Sequence, residues 1–243
     1  MLRTNTILKN ACQKRSHFVR NLNVFERRDN DEVKKTSGFK WFIDDIKYLR
    51  GEEVKKLLTV AKNEKVKAEN KRKVAVRDYY IIKIGLSTGL RVQEMADLKC
   101  KDFHLTNERS YAVVRHGKGG KPRLVWFNGE LTHDIVDYLN WKEKIGEDTS
   151  PENPFFLSSN TKSHMTTRAL QKAFKRTIAK AGIDSRYSIH ATRHTYACNL
   201  YKASNYNLRL VQKQLGHSSI KTTQVYADVF DEDMEKALER LYC

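Results

Sequence analysis

The chain has 243 residues, and 40% of them are hydrophobic, which is enough for a folded domain with a substantial core. Its 46 Lys and Arg residues outnumber its 29 Asp and Glu residues, so the formal net charge is +17. This composition excludes a disordered basic tail, and the charge indicates a polyanionic partner, most commonly nucleic acid.

Neither a membrane nor a metal is indicated by the sequence. No apolar stretch approaches the roughly 20 residues of a membrane span, and the first residues do not follow the pattern of a signal peptide. The cysteines are scattered, with neither a CxxC pair nor the spacing of a zinc site: Cys12, Cys100, Cys198 and Cys243. We therefore expect a reducing, cytoplasmic location, with no cofactor and no metal.

The N-terminal part of the chain differs from the rest. We interpret residues 1–46 as a short basic segment, with a helix over Thr6–Leu22 and a linker over Asn30–Gly38. Residues 47–243 form the main domain, in which apolar residues recur at helical spacing. Its first predicted helices are Glu52–Ala61, Lys71–Leu86 and Val92–Leu98.

The pattern then changes to a period of two residues. Tyr111–Arg115 and Arg123–Phe127 are predicted strands, joined by a glycine-rich, basic turn that contains Lys118 and Lys121. Helices are predicted again over Leu131–Lys144, Thr166–Ala181, Ile189–Lys202, Leu208–Leu215, Lys221–Ala227 and Asp231–Leu241. The expected fold is mainly α, with a small antiparallel β-sheet.

Four segments carry residues suited to phosphate chemistry. They are the turn Thr88-Gly89-Leu90-Arg91, the hairpin tip with Lys118, the pair His190-x-x-Arg193, and Leu215-Gly216-His217 with Tyr226 nine residues after the histidine. Metal-free cleavage of a phosphodiester requires cations on the non-bridging oxygens, a nucleophile, a base, and a proton for the leaving oxygen. Arginine forks, a tyrosine, histidines and a mobile lysine together meet these requirements.

These motifs, in this order and spacing, resemble the tyrosine recombinases, also called the phage integrase family. The resemblance extends from about Tyr48 to the C-terminus and includes Pro154–Ser158. It implies that Arg91 and Arg193 hold the scissile phosphate. It further implies that Tyr226 attacks this phosphate, forms a 3′-phosphotyrosine bond and releases a 5′-hydroxyl.

The resemblance also implies roles for the remaining residues. Lys118 would protonate the leaving oxygen, although Lys121 and Arg123 are rival cations on the same hairpin. His190 would act as general base or acid, and His217 would hydrogen-bond a phosphate oxygen. Supporting roles fall to Glu94, which would brace the site, and to His194, which we interpret as structural.

The implied function is site-specific recombination of double-stranded DNA: integration, excision or resolution. A type IB topoisomerase and a non-catalytic DNA-binding relic are the alternatives. The expected assembly is a homotetramer on DNA, associated with the nucleoid, in which helix 231–241 docks on a neighbouring protomer. Accessory DNA-bending proteins would be optional partners. Lys and Arg within Lys71–Arg77 and Thr167–Lys180 are candidates for phosphate contacts, and we expect about half of them only to solvate the surface.

Members of the family commonly carry a helical core-binding domain before the catalytic one. Only residues 1–46 precede the resemblance in this sequence. We therefore expect either a minimal recombinase or a basic N-terminal segment that serves as a reduced DNA-binding arm.

Overall fold

The helices and strands follow from a computed structural model, which describes residues 48–68, 73–106, 108–117, 120–159, 161 and 163–227. The helices are α1 (Gly51–Ala68), α2 (Lys73–Thr88), α3 (Val92–Ala96), α4 (Gly129–Lys144), α5 (Thr167–Lys180), α6 (His190–Ala203), α7 (Leu208–Leu215) and α8 (Lys221–Gln224). The strands are β1 (Phe103–His104), β2 (Ser110–Val114) and β3 (Arg123–Phe127). Residues 1–46, Lys118 and the predicted helix 231–241 lie outside the described residues.

This architecture confirms the predicted fold class and most predicted helices to within two residues at each end, with three larger differences. Helix α1 continues beyond the predicted end to Ala68, and the sheet has a short third strand, β1, that the pattern did not reveal. The prediction of a helix over Lys221–Ala227 was too long, because α8 ends at Gln224. The next residues form tighter turns, in which the Tyr226 amide donates to the Thr223 carbonyl, three residues back.

A buried helix, α2, organises the core. Its run Tyr79–Ile84 is buried on all sides, because α2 packs against α1, α4, α5 and α6. Aromatic rings extend this core, with Tyr80 and Tyr138 at a centroid distance of 4.5 Å and Tyr138 and Phe155 at 4.9 Å. The rigid α2 therefore carries the turn that follows its C-terminus to a defined place.

That turn requires a glycine. Gly89 has a φ of +62°, and a Cβ there would lie 2.4 Å from Cδ1 of Tyr196 on α6. Only glycine combines this left-handed backbone with such a close approach. The chain then leaves α2 and begins α3 with Arg91 as its N-cap residue.

The three antiparallel strands lie in the order β1-β2-β3, with Ala112 opposite both Phe103 and Val125. These three side chains face the core. The free edge of β3 contacts α7, whose Gln214 amide donates to the Trp126 carbonyl at 2.6 Å and accepts from its N–H at 3.4 Å. In the described part of the chain, no helix is long and apolar enough to cross a membrane.

Candidate active site

A buried arginine joins three segments of the fold. Arg193, on α6, has 6% of its surface exposed, and its guanidinium donates to the carbonyls of Gly89 at 2.5 Å and Leu215 at 3.0 Å. Burial, together with the nearby charge of Arg91, lowers its pKa to about 10. Arg193 therefore remains charged at neutral pH and holds a fixed cation where the ends of α2 and α7 meet.

The carboxylate of Glu94 binds two further arginines of the site, Arg91 and Arg123. Glu94 accepts four hydrogen bonds at 2.8 Å: from the amide and guanidinium of Arg91, and two from the guanidinium of Arg123 on β3. Burial alone would raise the pKa of Glu94, but the bonds and charge of Arg123 and the bonds from Arg91 lower it to about 2. The ionised Glu94 thus ties the Arg91 turn to the root of the β2–β3 hairpin.

The hydrogen bonds of His217 determine its tautomer. Its Nε2 lies 3.0 Å from a guanidinium nitrogen of Arg193, which can only donate, so Nε2 accepts. The proton is therefore on Nδ1, which donates to Oγ1 of the buried Thr223 at 2.9 Å. Burial and the charge of Arg193 lower the pKa of His217 to about 3, so the ring is neutral.

Tyr226 lies in the same cluster. Its side chain is only 2% exposed, and its ring is nearly parallel to that of His217, with centroids 6.4 Å apart. Its hydroxyl lies 3.1 Å from Nδ1 of His194. Burial raises the pKa of the phenol to about 12, although the charges of Arg193 and Arg91 act in the opposite direction.

The structure brings together five of the residues selected from the sequence: Arg91, Glu94, Arg193, His217 and Tyr226. His190, the first residue of α6, is exposed, while Lys118 lies outside the described residues. Of the rival hairpin cations, Lys121 is exposed and Arg123 is bound to Glu94.

Three further residues of the cluster, Arg123, His194 and Thr223, have contacts in the site that were not predicted from the sequence. Arg123 was a candidate leaving-group donor, and His194 was interpreted as structural. In the sequence, only its position next to Arg193 could have indicated that His194 lies in the site. Thr223 carried no signal, because its role depends on the placement of α8 beneath His217.

Fewer basic side chains of α2 and α5 are available to bind phosphate than the sequence alone suggested, because several of them pair with carboxylates. Arg77 on α2 is 4% exposed and pairs with Glu147, so it is one of the basic residues that are not available for a phosphate contact. On α5, Arg176 pairs with Asp78 and Lys180 with Glu64. Within the described ranges, no group of three or more His, Cys, Asp or Glu residues could hold a metal ion.

The fold and this cluster define a mainly α-helical domain that presents fixed arginines beside a tyrosine. Residues 47–233 match the model of the phage integrase family, and the chain belongs to that family. It is 34% identical over 165 residues to the tyrosine recombinase XerC of Caldanaerobacter subterraneus, covering 68% of this chain and 44% of that protein. It is 33% identical over 196 residues to the tyrosine recombinase XerA of Pyrococcus furiosus, covering 80% of this chain and 61% of that protein.

A similar solved structure is the XerH site-specific recombinase bound to palindromic difH substrate, a post-cleavage complex. The TM-score is 0.67 and the identity 28%, with coverage of 89% of this chain and 58% of that chain. The chain thus spans about half the length of the proteins that it matches.

Proposed function

We propose that this chain is a site-specific recombinase that cuts and rejoins double-stranded DNA through a 3′-phosphotyrosine intermediate. The observation that carries the proposal is the position of Tyr226 in one cluster with Arg91, Arg193 and His217. Two arginines offer the charge that a phosphorane-like transition state requires, and the phenol offers a nucleophile. The relatives' names and the DNA-bound XerH structure support DNA as the substrate.

In the cleavage step, Arg91 and Arg193 would bind the non-bridging oxygens of one phosphodiester. The hydroxyl of Tyr226 would lose its proton to a base and form a bond to phosphorus while the bond from phosphorus to the 5′ oxygen breaks. Lys118 would supply the proton that the 5′ oxygen takes. In the sequence, Lys118 precedes Arg123, the first residue of β3, and the bond between Arg123 and Glu94 holds this strand beside Arg91.

His217 would need a second proton, and His190 would need to reach the phosphate, for each to act on the DNA. The single proton of His217 is donated to Thr223, so a hydrogen bond to phosphate requires a second proton on Nε2. A bound phosphate would favour that proton, because its negative charge offsets the arginines that lower the pKa of this ring. His190 is exposed at the N-terminus of α6 and would approach the phosphate from the DNA side.

Recombination would proceed in a tetramer on DNA. We infer that helix 231–241 docks on a neighbouring protomer, that residues 1–46 form a basic arm, and that accessory DNA-bending proteins are optional. The net charge of +17 supports nonspecific binding that weakens steeply with salt. The protein would act in the cytoplasm, on the nucleoid.

The test uses supercoiled plasmid that carries the DNA flanking the protein's own gene, with EDTA present. After an SDS quench, a gel should show a covalent protein–DNA adduct for the wild type and none for Tyr226→Phe. Recombinant plasmid products would identify a recombinase, whereas relaxation without them would identify a topoisomerase. Tight, salt-sensitive binding with no adduct would contradict the proposal and indicate a DNA-binding relic.

A further inference from the structure

The hydroxyl of Tyr226 has a specific hydrogen-bond partner. It lies 3.1 Å from Nδ1 of His194, and the two rings are 5.9 Å apart at 52°. Because burial raises the pKa of the phenol to about 12, the hydroxyl is protonated at neutral pH. A buried hydroxyl proton requires an acceptor, so the phenol donates to Nδ1, and the ring proton of His194 lies on Nε2.

The other histidines of the site are not placed to take this proton. His217 accepts from Arg193 at Nε2 and donates to Thr223 from Nδ1, and its pKa of about 3 makes it a weak base. His190 is exposed, and among the described residues the Tyr226 hydroxyl bonds to His194. A general base must lie within hydrogen-bond distance of the proton that it removes, and His194 meets this condition.

We propose that His194 is a catalytic residue, the general base of the strand-cleavage step; this inference rests on the proposed function. As the oxygen of Tyr226 bonds to phosphorus, its proton passes to Nδ1 of His194, and the bond from phosphorus to the 5′ oxygen breaks. The 5′ oxygen takes its proton from a separate acid. In rejoining, the 5′-hydroxyl returns its proton to the separate acid and attacks phosphorus, the bond from phosphorus to Tyr226 breaks, and His194 returns the proton to the departing phenolate.

The local structure holds the base beside the phosphate site. His194 directly follows Arg193, whose bonds to the Gly89 and Leu215 carbonyls fix this turn of α6. Among the described residues, the charged and titratable groups that act on Tyr226 or on the neighbouring His217 include Arg91, Arg123, Arg193 and Cys198. Tyr226 is only 2% exposed, so the proposed reaction requires that its hydroxyl become accessible to the phosphate while the bond to His194 is retained.

The test compares His194→Asn and His194→Ala with the wild type. Asparagine keeps an acceptor near the position of Nδ1 but cannot take the proton. His133→Asn is the matched control, because His133 is an exposed histidine on α4 whose Nδ1 bonds to the Gly129 carbonyl. Adduct formation is measured in single turnover on a nicked DNA substrate with EDTA, from pH 6 to 9, and DNA binding and thermal melting check folding.

Both His194 variants should cleave about 10²- to 10⁴-fold more slowly at neutral pH, with DNA binding retained. The wild-type rate should depend less on pH than the variant rates, because a positioned base removes the phenol proton. The variant rates should keep rising up to pH 9, because hydroxide must then remove the phenol proton. Added imidazole should restore part of the rate of His194→Ala, and His133→Asn should match the wild type.

Four results would overturn the assignment. A wild-type rate in His194→Asn would show that the bond only positions the phenol, and faster cleavage in either variant would show that it holds the nucleophile back. If His194→Ala folds and binds DNA but added imidazole restores none of its rate, His194 is not the base. If the wild type itself forms no Tyr226-dependent adduct, the proposed function fails, and the role of His194 fails with it.

Discussion

Replacement of Glu94 by glutamine tests the network that connects the Arg91 turn to the hairpin. The carboxylate is 4% exposed and accepts four hydrogen bonds, two each from Arg91 and Arg123. Glutamine preserves the shape but removes the charge. Its NH₂ group can only donate hydrogen bonds, so it cannot accept those that Arg91 and Arg123 donate. One pKa unit corresponds to about 1.4 kcal/mol, so lowering the pKa from 4.5 to about 2 corresponds to about 3 kcal/mol of stability.

This stability depends on pH in a defined direction. Because the folded state lowers the pKa of Glu94, the full contribution is present above about pH 4.5 and is lost as the pH falls toward 2. Urea unfolding should therefore show Glu94→Gln to be about 3 kcal/mol less stable than the wild type at pH 7. At pH 3 the difference should be about 2 kcal/mol smaller, because the wild type has by then lost most of the contribution.

Other carboxylates titrate in both proteins and cancel in the comparison. Glu52→Gln is the control, because its side chain is 87% exposed and its pair with Lys55 lies at the surface, where ion pairs contribute little. A difference between wild type and Glu94→Gln that is the same at pH 7 and pH 3 would refute the reasoning. It would mean that Arg91 and Arg123 do not hold the carboxylate in its ionised form.

Two further substitutions test contacts within the cluster. Gly216→Ala should destabilise the fold by about 2–3 kcal/mol in urea unfolding, because φ is +66° and a Cβ would lie 2.4 Å from Cδ of Arg123. Gly146→Ala, with φ +74° and no atom within 4 Å of the added Cβ, should lower the free energy of unfolding by only about 1 kcal/mol. If both variants lose the same free energy, the contact with Arg123 does not contribute to the loss in Gly216→Ala. Thr223→Val should reduce the rate of adduct formation about tenfold, since it leaves Nδ1–H of His217 without an acceptor, and Thr223→Ser should restore it. An unchanged rate in Thr223→Val would show that this bond does not orient the ring.

The predicted elements came from local patterns. Helices α2, α4, α5 and α7 were found within a few residues of their ends, because an apolar face at a period of 3.6 is a property of neighbouring residues. Strand β3 was found at its exact bounds for the same reason, at a period of two. The two-residue β1 is too short to show a period, and it exists because β2 pairs with it.

The chemical groups of the site, by contrast, were recognised from spacing and residue type, as for Arg91, Arg193 and Tyr226. Their partners were decided by the tertiary structure. Arg123 meets Glu94 from 29 positions away, and the hydroxyl of Tyr226 meets His194 across 32 positions. Such pairings depend on how whole helices and strands pack against each other. The sequence therefore determined which groups the site contains, and the packing of α6, α8 and β3 decided which of them touch.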